Sequence, residues 1–545
     1  MNPLLSCLVT LFFTAEAQVR PEPHPIIGEA LPAGAVARLG PNAFRYAGWV
    51  NVLHGGGPTV CYAPDGKRVA VTSNAGVYVW DATSGKRLLW VPADGDMVTG
   101  FLGFHPDGDV IVDCRRRWDD GGGGVFRIDP ATGKLRAKFQ PTDNRRFSTV
   151  SPDGKTVFAF TSGNTSTTET VANDIDTGKE LWRKKHPEMG WSRVSPDGSR
   201  LVTWTFSATW QADVLDAATG KTVGTFEHKD GYTPSWTSGG LAVGPNADVV
   251  ISAHAWSRGF SVFRAGTTKP VWAVEGPWYE NAFVTDGGKK AVLIRQRKGG
   301  FDVETWDIAT NKPLAVVAAD VGRTMALSPD GATFATSDRK TPTGTLQFVD
   351  VATGKLRPQS PEAFTRAAVV WYLPDGTLAS ADEKASEAVA WNLKTGAMTA
   401  LPAGTKPPTT VLPGKDFRPP EGTASVVMAA DGKHALGYRF DPDELDSVPG
   451  DTYLGLFDGT GRVVKKYPRP DQMLGAKYAF APDGGTFAVA RGDGTITFYD
   501  TTGAELRTLR HGGGVTSLAY SPDGKFLATA CGDGPILVWD VAAKR

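Results

Sequence analysis

The sequence predicts an all-β protein made from one small unit that repeats along most of its 545 residues. One observation is a Pro-Asp-Gly turn such as YAPDGK at residues 62–67, which returns with a period of about 40 to 50 residues. Another is a strand that ends in Trp-Asp and leads into Ser-Gly-Lys or Thr-Gly-Lys, as in VYVWDATSGK at residues 77–86. The composition agrees, because 64 Gly and 38 Pro separate runs rich in Val, Ile, Thr, Phe and Trp. Many short strands joined by tight turns have this composition.

The number of units follows from counting the turns. Eleven copies are recognisable, the fifth in a degraded form, and a strand-end pattern follows each of them. The copies are marked by Asp65, Asp107, Asp153, Asp197, Asn246, Asp286, Asp330, Asp375, Asp431, Asp483 and Asp523. The two markers therefore agree on about eleven units.

The last copy shows best what one unit contains. Residues 515–540, VTSLAYSPDGKFLATACGDGPILVWD, hold three apolar runs separated by two turns. Together with the segment that follows Trp-Asp, these runs make a four-stranded unit. The interval from the Asp-Gly turn to the Trp-Asp strand end is too short for an intervening helix in most copies. This spacing argues against helical solenoids and β-α arrays.

With these landmarks, residues 44–545 resemble the blades of WD-repeat β-propellers of the bacterial, exported type. In that family a His, a Ser or Thr, an Asp and a Trp form a hydrogen-bonded structural tetrad. The last repeat matches it with His511, Thr529, Asp533 and Trp539. Most other copies match only in part.

Two further resemblances concern the turn after the third strand. DATSGKRLLW at residues 81–90 and DIDTGKELW at residues 174–182 are similar to the tryptophan-docking repeat of quinoprotein propellers and of outer-membrane assembly propellers. The SPDGK turns also resemble those of Tol-type periplasmic propellers. All of these resemblances imply a propeller, but they imply different subfamilies.

The expected fold is an array of about eleven four-stranded blades. Since one ring usually holds four to eight blades, two adjoining propellers are favoured, and one large or distorted ring is the alternative. We expect the first group of blades over residues 44–350 and the second over residues 351–545. A Pro-rich insertion near residues 401–422 is expected to be a surface loop or the crossing between propellers.

The last blade needs a fourth strand from elsewhere in the chain, because little sequence follows Asp540. Residues 18–43 are expected to be a linker that leads into this strand. The segment near Phe44 to Tyr46 resembles the outer-strand stretch ELRTLRHGG and is expected to complete the last blade. Closure of this kind removes an exposed sheet edge.

The first 17 residues resemble a short secretory signal. An apolar run from Leu4 to Phe13 is followed by Ala15-Glu16-Ala17, which suits signal-peptidase cleavage. Cleavage would place the mature chain in the periplasm or outside the cell, and without it the chain would be cytoplasmic. The apolar run is too short to span a bilayer comfortably, so no membrane span is expected in the mature chain.

The charge and the cysteines exclude several functions. Because 58 Lys and Arg balance 58 Asp and Glu, no global field favours nucleic acid. Cys61, Cys114 and Cys531 lie singly in apolar strand patterns, which indicates buried side chains rather than disulfides or a thiolate metal site.

No motif for catalysis is recognisable, whether a GxSxG elbow, HExxH, a Walker loop or a Rossmann fingerprint. Two loops were considered as ligand sites. Gly121 to Gly124 has the glycines of a phosphate loop but lacks a following helix, so a hairpin is favoured. The acidic loop DPDELDS, residues 441–447, contains Asp441, Asp443, Glu444 and Asp446 as oxygen ligands for calcium but lacks the EF-hand pattern, and blade-tip loops are often acidic. No catalytic residue, cofactor or metal ligand is therefore assigned.

Aromatic residues offer a better candidate. Trp191, Trp236, Trp278 and Tyr279 each come just before the first strand of a unit, where propeller loops open onto one face. Packing in the core is favoured for them; the alternative is that they gather on this face and bind a protein partner.

The sequence thus predicts a non-catalytic propeller scaffold that binds protein partners outside the cytoplasm. The alternative is a quinoprotein-like or carbohydrate-binding propeller that acts on a small ligand. Quinoprotein dehydrogenases typically carry a vicinal disulfide, and no two cysteines are adjacent in this chain. A structural, envelope-anchored module is the third reading.

Overall fold

The computed structural model of the chain is built almost entirely from short antiparallel strands. It describes residues 26–27, 31, 34–39, 60–73, 76–92, 97–116, 124–139, 145–161, 168–186, 190–205, 210–228, 241–253, 259–319, 321–322, 325–337, 346–357, 369–381, 388–395, 397–407, 416–439, 453–468, 477–491, 494–511, 514–531 and 536–541. These residues form eleven separate sheets, which confirms the predicted all-β class and the number of blades. Among the described residues, no helix is long and apolar enough to cross a lipid bilayer.

Two strands precede the first blade, β1 (Ile26–Ile27) and β2 (Ala35–Leu39). The strands of blades 1 to 4 are β3 (Val60–Tyr62), β4 (Arg68–Ser73), β5 (Gly76–Asp81), β6 (Arg87–Pro92), β7 (Met97–Phe104), β8 (Val110–Arg116), β9 (Gly124–Ile128), β10 (Leu135–Phe139), β11 (Arg145–Val150), β12 (Thr156–Thr161), β13 (Thr168–Asp174), β14 (Glu180–His186), β15 (Gly190–Val194), β16 (Arg200–Thr205), β17 (Trp210–Asp216) and β18 (Thr222–His228).

The strands of blades 5 to 7 are β19 (Leu241–Val243), β20 (Val249–Ala253), β21 (Gly259–Arg264), β22 (Trp272–Glu275), β23 (Tyr279–Thr285), β24 (Lys290–Arg297), β25 (Gly300–Asp307), β26 (Lys312–Ala319), β27 (Met325–Leu327), β28 (Thr333–Ser337) and β29 (Leu346–Asp350). Short 3₁₀ turns, Pro245–Ala247 and Asp286–Gly288, replace the Pro-Asp-Gly turn in blades 5 and 6.

The strands of blades 8 to 11 are β30 (Val369–Tyr372), β31 (Leu378–Ala381), β32 (Ala388–Trp391), β33 (Met398–Ala400), β34 (Thr423–Met428), β35 (His434–Arg439), β36 (Tyr453–Asp458), β37 (Val463–Pro468), β38 (Lys477–Phe480), β39 (Thr486–Ala490), β40 (Thr495–Asp500), β41 (Glu505–Arg510), β42 (Val515–Tyr520), β43 (Phe526–Cys531) and β44 (Ile536–Asp540). Most blades have four strands, but blade 1 gains a fifth from β1 and the described part of blade 7 has three.

The Pro-Asp-Gly turn is stabilised by its own side chains. In blade 11 the Ser521 hydroxyl donates to Asp523 Oδ1 at 2.6 Å, and the same hydroxyl oxygen accepts from the Phe526 amide at 2.9 Å. Gly524 takes a φ of +72°, a conformation that glycine adopts without a steric penalty. The hydrogen bond from Ser521 is the largest cause that lowers the pKa of Asp523. The motif therefore specifies the turn locally.

The second turn, after the third strand of a blade, uses Asp, Thr and Gly in the same way. In blade 3 the amide and the hydroxyl of Thr177 donate to Asp174 Oδ1 at 2.8 and 2.7 Å. Gly178 has a φ of +70° and donates its amide to the Asp174 carbonyl at 2.9 Å. The bonds from Thr177 lower the pKa of Asp174. This is why Asp and Thr-Gly recur together along the chain.

The core lies between the sheets, and its contacts follow one closed circuit and one open series. Successive blades from 1 to 7 share apolar clusters, and blade 7 packs back on blade 1 through Phe348, Tyr62 and Val69. Blades 9, 10 and 11 pack in order, and blade 11 packs on blade 8, where the Val370 amide donates to Ser517 Oγ at 3.1 Å. These contacts favour two groups of blades over one ring of eleven. The boundary at residues 350 and 351 stays a prediction.

The last blade is completed by β2, not by the predicted segment. β2 pairs antiparallel with β44, with Ala37 opposite Val538 and Leu39 opposite Ile536. It lies within the stretch expected to be a linker, and the segment near Phe44 to Tyr46 is outside the described residues. The physical reason is space, because small alanines in β2 contribute to the apolar clusters on both sides of blade 11. Closure by a segment before the first blade was predicted correctly, but its residues were not.

The amino-terminal segment also connects the two groups of blades. β1 pairs with the outer strand of blade 1, where Ile26 lies opposite Trp90, while β2 belongs to blade 11. Cys531 of blade 11 lies in the same apolar cluster as blades 1 and 7. The predicted signal, residues 1–17, lies outside the described residues.

The insertion after blade 8 is anchored at both ends. Leu401 packs against blade 8, and Phe417 is buried against Phe457 of blade 9, with ring centroids 6.2 Å apart. The Arg418 amide donates to the Thr460 carbonyl at 2.8 Å. Between these contacts most described residues of the insertion are exposed, as expected of a surface loop, and residues 408–415 lie outside the described part.

Candidate functional site

Each blade exposes two different ends, because its strands alternate in direction. The first-to-second and third-to-fourth connections lie at one end and carry the Pro-Asp-Gly and Thr-Gly turns; we call this end the turn face. The second-to-third hairpins and the connections between blades lie at the other end, which we call the loop face. Trp278 directly precedes the first strand of blade 6, so it belongs to the loop face.

Three members of the predicted tetrad form a buried structural group in blade 11. Trp539 Nε1 donates to Thr529 Oγ1 at 2.8 Å, and His511 Nε2 lies 3.3 Å from the Thr529 carbonyl oxygen. All three side chains are buried, so this group joins strands rather than facing a ligand. Asp533 lies outside the described residues, and its membership in the tetrad stays a prediction.

Blade 8 contains a related pair that the sequence reasoning missed. Trp391 Nε1 donates to Ser380 Oγ at 2.8 Å, and both residues are buried. Ser380 precedes Trp391 by 11 residues, where Thr529 precedes Trp539 by 10. This similar spacing in the sequence could have predicted the Ser380–Trp391 pair, although the blade has no His at the position that matches His511.

The aromatic candidates do not all share one environment. Trp278 is 37% exposed and lies on the loop face directly before β23. Trp191 lies in β15 opposite Trp204, and Trp236 is outside the described residues. Tyr279 follows the alternative of core packing and does not belong to an exposed face, because its side chain is 2% exposed. As successive side chains of a strand point to opposite sides, β23 places Tyr279 in the core, against Phe260 at a centroid distance of 5.1 Å.

Behind Trp278, the loop-face end of blade 6 contains a charged network. We call it the blade 6 cluster, and it consists of Tyr279, Arg295, Arg297, Asp302, Glu304 and Trp306. At its centre Glu304 is 4% exposed, and its Oε2 accepts from Tyr279 Oη at 2.9 Å and from Trp306 Nε1 at 3.0 Å. Burial, followed by the charge of Glu304, raises the pKa of Tyr279, so the phenol stays protonated.

Two arginines neutralise the buried carboxylates of the blade 6 cluster. Arg295 Nε lies 2.9 Å from Glu304 Oε1, and Arg295 Nη2 donates to Asp302 Oδ2 at 2.8 Å. Arg297 Nε lies 3.0 Å from Asp302 Oδ1. Burial acts to lower the pKa of Arg295, but the bond to Asp302 and the charge of Glu304 raise it overall. The register produces this arrangement, since Arg295 lies opposite both Tyr279 and Asp302 in the sheet.

The blade 6 cluster is suited to holding a surface in place rather than to acid–base chemistry. Its two carboxylates are committed to arginines, an indole and a phenol, and its tyrosine is protonated. What it exposes is the side chain of Arg297, at 44%, which follows Gln296, whose amide donates to the Trp278 carbonyl at 2.8 Å. An aromatic and an arginine on a rigid base are the residue types that dominate protein interfaces.

A second charged network joins blades 2 and 3 on the turn face. Arg127 Nε donates to Asp109 Oδ2 at 2.7 Å, and Arg127 Nη1 donates to Asp176 Oδ1 of blade 3 at 2.9 Å. Asp109 is buried, and burial raises its pKa despite the arginine. This network holds two blades together and is structural.

The remaining candidate positions give no further site. Residues 117–123 and 440–452, which include the glycine run and the acidic loop, lie outside the described residues, although β8 and β9 pair as the hairpin prediction requires. Among the described residues, no group of three side chains is placed to hold a metal ion. Burial raises the pKa of the Cys61 thiol to about 12, with the Arg193 charge opposing it, so this thiol is not a ready nucleophile.

Tryptophan docking between blades is present, as the resemblance to that repeat implied. Trp182, on the outer strand of blade 3, donates from Nε1 to the Ala217 carbonyl of blade 4 at 2.9 Å and lies over Gly220. Trp272 of blade 5 makes the corresponding bond to the Ile308 carbonyl of blade 6 at 3.3 Å.

Comparison with known families matches two parts of the chain. Residues 503–540 match the WD domain, G-beta repeat, and residues 37–185 match the outer membrane protein assembly factor BamB. No curated protein matches the chain.

Among solved structures, three are similar to the chain at low identity. BamB from Moraxella catarrhalis is 14% identical over 81% of this chain and 95% of its own, with a TM-score of 0.29. Hydrazine synthase from Kuenenia stuttgartiensis is 15% identical over 65% and 95%, with a TM-score of 0.26. A eukaryotic initiation factor is 15% identical over 72% and 94%, with a TM-score of 0.32. From the two family models and the eleven sheets, the chain carries a WD40 repeat at its carboxyl end and a BamB-like propeller segment near its amino end.

Proposed function

We propose that this chain is a non-catalytic, exported propeller scaffold that binds a protein partner through its loop face. The observation that carries the proposal is the exposure of Trp278 and Arg297 at the loop-face end of blade 6, where the Gln296 amide donates to the Trp278 carbonyl at 2.8 Å. Rigid strands hold these side chains in place, which reduces the entropy lost on binding. The connections between blades end on the same face, where variable loops on a fixed scaffold can add specificity.

The comparison with BamB supports the same direction. The family model that matches residues 37–185 is described as outer membrane protein assembly factor BamB. The resemblance of residues 1–17 to a secretory signal supports export. Mass spectrometry of the mature amino terminus tests this part, and an intact Met1 in protein from its own cells would contradict export.

Binding is tested by crosslinking and affinity capture of the tagged chain from its own cells, with two variants in parallel. Trp278→Ala combined with Arg297→Glu changes the loop face, while Lys525→Glu changes an exposed turn-face residue and serves as the control. We expect the same protein to be captured by the wild type and the control but lost from the loop-face variant. Because Arg297 also contacts Asp302, the variant must first show an unchanged melting temperature, or Trp278→Ala is used alone. Equal capture by all folded variants would refute the loop-face proposal.

A further inference from the structure

The outer strand of blade 6 has an unusually open edge. β26 is eight residues long and pairs only with β25 among the described strands. Leu314 is 54% exposed and Val316 is 53% exposed, and the residues from Lys312 to Val316 are all exposed. An apolar edge strand that remains open to solvent is a template for pairing with another strand.

The other outer strands are protected in ways that β26 is not. Among the described outer strands of five or more residues, all except β6 and β26 carry a charged residue after their first position. These charged strands are β2, β10, β14, β18, β37 and β41. β6, RLLWVP, is covered by β1. β26, KPLAVVAA, has neither an internal charge nor a covering strand in the described part of the chain.

The neighbouring blades leave this edge accessible. The outer strand of blade 5, β22, has four residues, half the length of β26. The described part of blade 7 has three strands; beyond β29, Leu356 forms an isolated bridge with Val349 and the Arg357 amide donates to the Phe348 carbonyl at 2.8 Å. Among the described residues, no neighbouring strand pairs with this edge of β26, so an incoming strand can reach it.

We propose that β26 pairs antiparallel with β26 of a second copy of this chain. The sequence of the strand is complementary to itself about Val316. A two-fold axis there places Val316 opposite its own counterpart, Leu314 opposite Ala318, and Ala315 opposite Val317. Each large side chain then meets a small one, apart from the central valine pair. Pairing of this kind is isologous, as the interface of a two-fold dimer must be.

Charge supports a second copy as the occupant. The pairing segment from Pro313 to Ala319 contains no charged residue, so its counterpart adds no repulsion. The chain as a whole has a formal net charge of zero, so two copies approach without a net barrier. Since one strand pair buries less than the roughly 1,200 Å² of a stable interface, the dimer is expected to be weak and dependent on concentration.

Sedimentation velocity of the purified full-length chain, up to about 100 µM, tests the proposal. Val316→Lys places a charge at the two-fold axis, and Val223→Lys is the control, since Val223 is 54% exposed on β18 of blade 4. We expect a monomer–dimer equilibrium for the wild type and the control, and a monomer for Val316→Lys. A monomeric wild type over the whole range, or unchanged dimerisation of Val316→Lys, would overturn the proposal.

Cysteine crosslinking tests the register independently of the lysine variant. With copper phenanthroline as the oxidant, Val316→Cys should give a disulfide-linked dimer because it faces its own counterpart, whereas Leu314→Cys alone should not. A mixture of Leu314→Cys and Ala318→Cys chains should crosslink to each other. The wild type, which has Cys7, the half-buried Cys61 and the buried Cys114 and Cys531, provides the background. Equal crosslinking of Val316→Cys and Leu314→Cys would refute the register about Val316.

Discussion

Replacing Gly220 by Ala should destabilise the contact between blades 3 and 4 because a tryptophan lies where the new methyl group would go. Gly220 ends the Asp-Thr-Gly turn of blade 4 with a φ of +70°. A Cβ built there would lie 2.6 Å from Cε3 and 2.7 Å from Cδ2 of Trp182. The Trp182 ring is held by the bond from Nε1 to the Ala217 carbonyl. Relief therefore requires a shift of either the ring or the turn.

The magnitude has two parts that a control variant separates. A left-handed conformation costs an L-residue about 1–2 kcal/mol, and overpacking adds about 1–3 kcal/mol. Gly266 has a φ of +81° but no atom within 4 Å of a built Cβ, so Gly266→Ala has only the first cost. The difference between Gly220→Ala and Gly266→Ala should therefore be about 1–3 kcal/mol.

Local hydrogen exchange is the suitable assay, because a chain of eleven sheets need not unfold in one step. Peptides that cover β14 and β18 should exchange faster in Gly220→Ala, while those of blades 8 to 11 should not change. A double-mutant cycle with Trp182→Ala removes the ring, so the additional cost of Gly220→Ala should then fall to that of Gly266→Ala. Equal costs of Gly220→Ala with and without the ring would refute this reasoning.

Three further predictions concern other parts of the fold. Ala37→Pro should break the pairing of β2 with β44 and speed hydrogen exchange of β44; unchanged protection would mean that β2 does not close blade 11. Thr529→Val should cost about 1–3 kcal/mol because it leaves the Trp539 indole N–H buried without its acceptor. Thr516→Val in the same blade should hardly change stability, since the Thr516 hydroxyl is buried with no partner among the described residues. Comparing the melting temperatures of Thr529→Val and Thr516→Val checks this difference. An equal fall in melting temperature for both variants would contradict it. Burial is the main cause that lowers the pKa of His186 in the folded chain, and the charge of Lys184 adds to it. The contribution of neutral His186 to the free energy of unfolding should therefore be complete above about pH 6.5, the ordinary pKa of histidine. It should be lost as the pH falls below that value. Stability measured from pH 8 to pH 5 should show a flatter profile for His186→Asn, and parallel profiles would contradict the role of this histidine.

The local parts of the fold were readable from the sequence because each is specified by neighbouring residues. The Pro-Asp-Gly turn needs Ser521, Asp523 and Gly524, which lie within four positions of one another. Counting such turns therefore counted the sheets. The Trp539–Thr529 bond was likewise predictable, because strand pairing fixes the spacing between these two residues.

What failed depended on side-chain direction and on contacts between distant segments. Tyr279 was grouped with Trp278 as a candidate for an exposed face. Because β23 begins at Tyr279, directly after Trp278, the side chain of Tyr279 is buried while that of Trp278 is exposed. The blade 6 cluster was missed because its members are unremarkable in sequence. Only the register of β24 with β25 brings Arg295 opposite Asp302.

The sequence by itself determined the repeated unit, the number of blades and the turns that separate the strands, because these depend on interactions within a few residues. The tertiary structure alone decided which blades pack together, that Ala35–Leu39 closes the last blade, and that β26 is left open while β6 is covered. These outcomes depend on the fit of segments that are far apart in the chain. Local patterns carry no information about which distant segment fills a given space.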